Sequence, residues 1–219
     1  MNSNDKNSSA FLIDGPNGAL EVVVHEADPS GALFTKHLIA VICHPHPLHG
    51  GTMENKVVTT LARTYRDIGI KSIRFNFRGV GRSEGAFDHG VGELNDLMAV
   101  IDWCQHQCSE LAVVLAGFSF GSSMAAQASY NVKDIGHLIM IAPPVERYPY
   151  DIAGQFPCAV CIAQGDKDER VSADKVYQWA GSLKGPVELL RYADASHFFH
   201  GALTQLKNDL TLTLKRQLE

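Results

Sequence analysis

Two periods of hydrophobic and polar positions take turns along this chain, and each change of period marks a new element. Residues 10–14, AFLID, and 19–27, ALEVVVHEA, are short β-forming runs on either side of Gly15-Pro16-Asn17-Gly18, which predicts a hairpin. His37 to Cys43 is nearly all apolar, as a strand covered on both faces should be. Between Met53 and Ile68, the residues Val57, Val58, Leu61, Tyr65 and Ile68 recur at helical spacing, with Thr52 as N-cap and Gly69 as the stop. A strand over Lys71 to Phe77 would turn Ile73, Phe75 and Phe77 to one face. A helix over Val91 to His106 would bury Leu94, Leu97, Met98, Ile101 and Trp103. Further strands are predicted over 111–118, 135–141, 157–163 and 187–192. Helices are predicted from the segment SSMAAQAS, from Ser172 to Leu183, and from the last loop to about Leu218. From residue 38 onward strand and helix alternate, which calls for parallel pairing through right-handed crossovers and so for a doubly wound sheet. Residues 1–9 are polar and expected to be disordered, leaving 10–219 as a single domain without internal repeats.

Composition narrows the classes of function. A chain of 219 residues with 45% hydrophobic residues can bury a full α/β core. Its net charge of −5 and pI near 6.0, without a basic run, give no bulk attraction to nucleic acid or an anionic membrane. No apolar stretch reaches the ~20 residues that span a bilayer, and the start MNSNDKNSSA lacks the pattern of a secretion signal. A cytoplasmic location is therefore expected. Five cysteines, an odd number in apolar or helical surroundings, read as reduced thiols. Cys158 and Cys161 have C-x-x-C spacing, but a strand through PCAVCIA turns them to opposite faces, and Cys104 and Cys108, four apart on a helix, have no His or acid at ligand spacing.

The chemistry concentrates where the run LAVVLA passes into Gly117-Phe118-Ser119-Phe120-Gly121 and then a helix. In a strand–turn–helix of this form the serine takes a sparsely populated backbone conformation that pushes its Oγ outward, and the flanking glycines let strand and helix approach. Ser119 is the candidate nucleophile. A serine hydroxyl needs a base of pKa near ~6.5 in hydrogen-bond reach, and His197 and His200 both follow the last strand, at the sheet edge where Ser119 should emerge. His200 reads as one turn into the final helix, which favours His197. A carboxylate must in turn hold the imidazole, and Asp166 and Asp168 both follow the strand that ends at Ala163.

Gly117 to Gly121, then Gly165-Asp166-Lys167-Asp168, then Ala195-Ser196-His197-Phe198-Phe199, in that order over residues 10 to 218, resemble the α/β-hydrolase superfamily. With HPHPLHGGTMENK they are most similar to its small, lidless, mostly bacterial serine hydrolases, related to dienelactone-hydrolase-like enzymes. The resemblance implies a mostly parallel eight-stranded sheet with helices on both faces and no cap domain. It implies Asp168 as the acid, three residues after the loop glycine, and leaves Asp166 to hold the loop through backbone hydrogen bonds. It also implies oxyanion donors at the backbone N–H of Phe120 and in the loop after the third strand. There Pro45 and Pro47 have no N–H, which selects His46. The dozen residues from Val145 to Phe156, where lidded relatives carry a helical cap, imply an open site.

Rival signals exist. Gly79, Gly81 and Gly85 make a Gly-rich loop, but their spacing and the loop that follows do not fit a dinucleotide fingerprint. His44, His46 and His49 have the H-x-H-x-x-H spacing of a metal-ligand run, with Leu48 where that run carries an Asp. The sequence thus predicts a serine hydrolase that cleaves an ester-type acyl bond of a small molecule, using Ser119, His197 and Asp168 and no metal or other cofactor. A metal-dependent hydrolase built on the histidine loop and a non-catalytic binding protein of the same fold are the alternatives. Substrate identity and oligomeric state are not legible.

Overall fold

The computed structural model describes residues 9–107, 112–150 and 152–218. The expected disordered tail, apart from Ser9, lies outside these residues, as do Cys108 and Leu111. Eight strands form one sheet: β1 (Phe11–Gly15), β2 (Gly18–His25), β3 (Leu38–Cys43), β4 (Lys71–Phe75), β5 (Ala112–Phe118), β6 (His137–Ile141), β7 (Ala159–Gly165) and β8 (Val187–Tyr192). Their order is β1-β2-β4-β3-β5-β6-β7-β8. Only the β1–β2 and β2–β4 pairings are antiparallel. Both cores lie against this sheet. Leu97, Val100 and Ile101 of α2 (Val91–Gln107), Met124 and Ala125 of α3 (Phe120–Ser129) and Val176 of α4 (Ala173–Ser182) fill one face. Val57, Val58 and Leu61 of α1 (Lys56–Asp67) with Leu206, Leu210 and Leu214 of α5 (Leu203–Leu218) fill the other. This is the α/β-hydrolase fold without a lid. Among the described residues no helix is long and apolar enough to cross a membrane.

The chain adds β4 on one side of β3 and β5 on the other, so the loops leaving β3 and β5 diverge at the carboxyl edge. Such a switch point is where open α/β sheets leave a crevice.

Several boundaries move from those expected, each for a local reason. Helix α1 begins at Lys56 under Asn55, whose side chain accepts from the Val57 N–H at 2.9 Å. Thr52 is not its cap, because Asn76 Oδ1 draws off the Met53 N–H at 2.8 Å and Thr52 Oγ1 accepts from Glu54 N–H. Strand β4 stops at Phe75: Asn76 N–H still bonds the Glu21 carbonyl of β2, but Phe77 N–H turns to a histidine ring. The buried stripe of α2 runs through Leu97, Val100, Ile101 and Cys104, while Leu94, Met98 and Trp103 are only half-buried. The Gly-rich loop is closed by the protein's own carboxylates: Glu21 accepts the Arg82 N–H and Asp96 binds the Arg78 guanidinium. Cys158 and Cys161 face opposite cores, and burial pushes the Cys158 thiol up to about 12 and that of Cys161 higher still.

Candidate active site

Ser119 occupies the turn between β5 and α3 with φ 52° and ψ −121°, a region that costs a non-glycine residue on the order of 1–3 kcal/mol. Its surroundings hold it there. The Ser119 N–H donates to the Ile141 carbonyl at 2.8 Å, and its own carbonyl accepts from the Ser122 N–H and hydroxyl at 2.9 and 2.5 Å. A Cβ at Gly117 would lie 2.2 Å from the Gly121 carbonyl oxygen, and one at Gly121 would lie 2.4 Å from that of Cys43. Strand, turn and helix can therefore close only with glycine at both positions. With its backbone so bent, the serine caps nothing with its side chain, and Oγ is left for other partners.

One partner is His197 Nε2, 3.1 Å away. The other ring nitrogen, Nδ1, lies 2.8 Å from Asp168 Oδ2. A carboxylate can only accept, so Nδ1 donates and Nε2 is left to accept the serine proton. The second Asp168 oxygen accepts the N–H groups of Arg170 and Val171, both at 2.8 Å, and Gln164 donates to Oδ2 at 3.1 Å. Burial raises the Asp168 pKa, but the bonds from His197 and from the Arg170 and Val171 amides together outweigh it and hold the carboxyl below its ordinary value. The imidazole is enclosed by Phe118 and Phe198, with ring centroids 5.0 and 5.2 Å away, and Glu169 accepts its backbone N–H.

The competing residues go elsewhere. Asp166 accepts from the Tyr177 hydroxyl and lies 3.6 Å from Arg191, so it secures the loop through side chains and not through the backbone, as the sequence suggested. His200 sits in the turn before α5 and not within the helix.

A cleft of about 230 Å³ opens over Ser119 and His197, with Phe120, His46, Tyr148 and Arg147 among its walls. The first N–H groups of a helix have no intrahelical acceptor, which leaves that of Phe120 at the head of α3 for a ligand. The peptide of His46 is held by its carbonyl, which accepts from His49 and Gly51 N–H groups at 3.0 and 3.1 Å.

The three loop histidines do not converge as ligands. His44 is buried and its ring is fully committed: Nε2 accepts the Phe77 N–H at 3.0 Å and Nδ1 donates to the Pro45 carbonyl at 2.6 Å. Burial lowers its pKa to about 4, against the contrary pull of the Pro45 carbonyl. His46 uses Nδ1 to accept the Leu48 N–H and stacks on His49 at 4.3 Å between centroids, a face-to-face arrangement in which the ring nitrogens cannot aim at one ion. Burial, then the neighbouring His49, keep the His46 pKa below that of a free imidazole.

Sequence reasoning missed Gln164, Tyr148, Arg147 and Arg170. Gln164 did leave a signal, as the one polar side chain in the apolar run of β7. The others lie on loops whose course no periodicity reveals.

The model of the family described as X-Pro dipeptidyl-peptidase (S15 family) matches residues 35–176. A solved structure of an α/β serine hydrolase homologue from Coxiella burnetii is 44% identical, covers 98% of this chain and 99% of its own, and superposes with a TM-score of 0.89. An α/β serine hydrolase without lid from Xanthomonas campestris is 40% identical with the same TM-score, over 96% of this chain and 95% of that one. An uncharacterized protein of Rickettsia prowazekii is 36% identical over 94% of this chain and 89% of its own length. With the lidless sheet and the bent Ser119 turn in view, the chain belongs to the α/β-hydrolase superfamily, in its S15 family and among its lidless serine hydrolases.

Proposed function

We propose that this hydrolase cleaves an ester-type acyl bond of a small molecule through an acyl-enzyme on Ser119. The observation that supports this most directly is the continuous line from Asp168 to His197 to Ser119, with contacts of 2.8 and 3.1 Å at the floor of an open cleft. In this reading Ser119 Oγ attacks the carbonyl carbon as its proton passes to His197 Nε2. Asp168 stays ionised and stabilises the imidazolium. The developing oxyanion is met by the N–H groups of Phe120 and His46, each worth on the order of 3 kcal/mol of barrier. Collapse expels the alcohol with the proton from Nε2. A water then gives its proton to His197 and its oxygen to the acyl carbon, and the imidazolium returns a proton to Ser119.

An X-Pro peptide, the substrate named in the family's description, presents a free ammonium. Among the described residues the cleft is lined by Arg147 and Arg170 and by no Asp or Glu, the wrong charge to receive it, which supports an ester over such a peptide. The reading includes one domain over 10–219. The free thiols of Cys43, Cys158 and Cys161 support a reducing compartment such as the cytoplasm.

The test is a chain-length series of nitrophenyl esters and thioesters together with labelling by a fluorophosphonate probe. Labelling at Ser119 and a short-chain ester optimum are expected. Absence of labelling would favour a non-catalytic binding protein. Activity that survives Ser119→Ala but is abolished by chelation would overturn the serine mechanism.

A further inference from the structure

We propose that Arg147 and Arg170 form an anion subsite at the mouth of the cleft, so that the substrate is an acyl ester carrying a phosphate or carboxylate close to the scissile bond. The proposal rests on the serine-hydrolase reading and deepens it. Both guanidiniums come from loops that the fold brings together, one after β6 and one after β7. Arg147 Nη2 donates to the Arg170 carbonyl at 3.1 Å, which fixes the two segments against each other. Arg147 forms no ion pair among the described residues, an unusual state for an arginine beside a catalytic cleft in a chain of net charge −5. Arg170 is held with its Cζ 5.2 Å from the centre of the Phe198 ring, the ring that also packs on His197. Its one acidic contact among the described residues, Glu169, stands off at 3.9 Å and has its other oxygen on the His197 N–H.

The positive wall does not end at the cleft. A shallow groove continues over Pro144, Arg147, Arg170 and Val171 to Lys175, with Glu146 as its only acid among the described residues. Guanidinium is the side chain best matched to planar or tetrahedral oxyanions, because its fork donates two parallel hydrogen bonds to one group. A neutral acyl ester would offer the two guanidiniums no counter-charge here, and a cationic one would be repelled.

The experiment measures kcat/KM for matched pairs of esters, each corrected for its reactivity toward hydroxide. Nitrophenyl hydrogen glutarate against nitrophenyl pentanoate places a carboxylate on the acyl side. Acetoxyphenyl phosphate and acetoxybenzoate against phenyl acetate place phosphate or carboxylate on the leaving group. At least one anionic ester should exceed its neutral partner by about tenfold. That preference should shrink as salt approaches about 1 M, where charges are screened within ~3 Å. In Arg147→Gln and in Arg170→Gln the anionic-to-neutral ratio should fall by about tenfold, and the pair that responds identifies which side carries the charge. Ser119-dependent cleavage with no anionic preference in the wild type would overturn the subsite and leave the hydrolase reading standing. A preference that survives both substitutions would also overturn it. Failure of every ester together with absence of fluorophosphonate labelling would overturn both.

Discussion

His44 and His197 follow strands β3 and β8 of the same sheet, and both are nearly inaccessible, at 0% and 4% exposure. Each ring donates from Nδ1 and accepts at Nε2, so tautomer and burial do not separate them. Their partners do. The donor facing His44 Nε2 is the Phe77 backbone amide, a group that does not surrender its proton, and the acceptor at Nδ1 is a neutral carbonyl. Across from His197 stand an alcohol and an ionised carboxylate, so a proton can move onto the ring and the resulting charge is compensated. A buried imidazole is a structural clip or a base according to what lies at its two nitrogens. With a backbone amide and a neutral carbonyl as its partners His44 is a clip, since charging its buried ring would leave a cation with no counter-ion among the described residues.

The largest expected effect that would break this contrast is at Ser119. Ser119→Ala and His197→Ala should each reduce kcat by on the order of 10⁶, and the double variant should be no worse than either, because the two act as a unit. Independent losses in steady-state kinetics would contradict a shared proton transfer. Asp168→Asn should come next, with a loss of about 10⁴. The Asn oxygen can keep the Arg170 and Val171 N–H groups, but its NH₂ would then face Nδ1 and force the proton onto Nε2, where it blocks acceptance from Ser119. A loss of tenfold or less would show that Asp168 does not set the tautomer. His44→Gln should be mildest for catalysis and instead alter acid stability. A histidine of ordinary pKa ~6.5 when unfolded and about 4 when folded contributes stability that is complete above pH ~6.5 and is lost as pH falls toward 4. That contribution amounts to roughly 3 kcal/mol, and glutamine, which can still accept from Phe77 but cannot be protonated, should flatten that part of the profile in urea titrations at several pH values. An unchanged slope would mean that His44 titrates normally.

Much of this architecture was legible from residue order because its signals are local. The period of the apolar positions distinguishes strand from helix, and a serine between two glycines after an apolar strand marks the one bend where its backbone can stand. The boundaries that moved are those set by distant partners: Asn76 draws Met53 away from α1, and His44 ends β4 through Phe77. Among the candidate groups, Asp166 and Asp168 are equivalent by composition and nearly so by position. Only the folded loop directs one to Tyr177 and Arg191 and the other to His197. The histidine run shows the same division, since even spacing along a loop says nothing of where ring nitrogens point. By itself the sequence determined the alternation of elements, the sheet they build and the bend at Ser119, because these follow from local sterics and burial. Tertiary structure alone decided which nitrogen meets which oxygen and which loops place arginines at the cleft, because those depend on residues far apart in the chain meeting within a few ångströms.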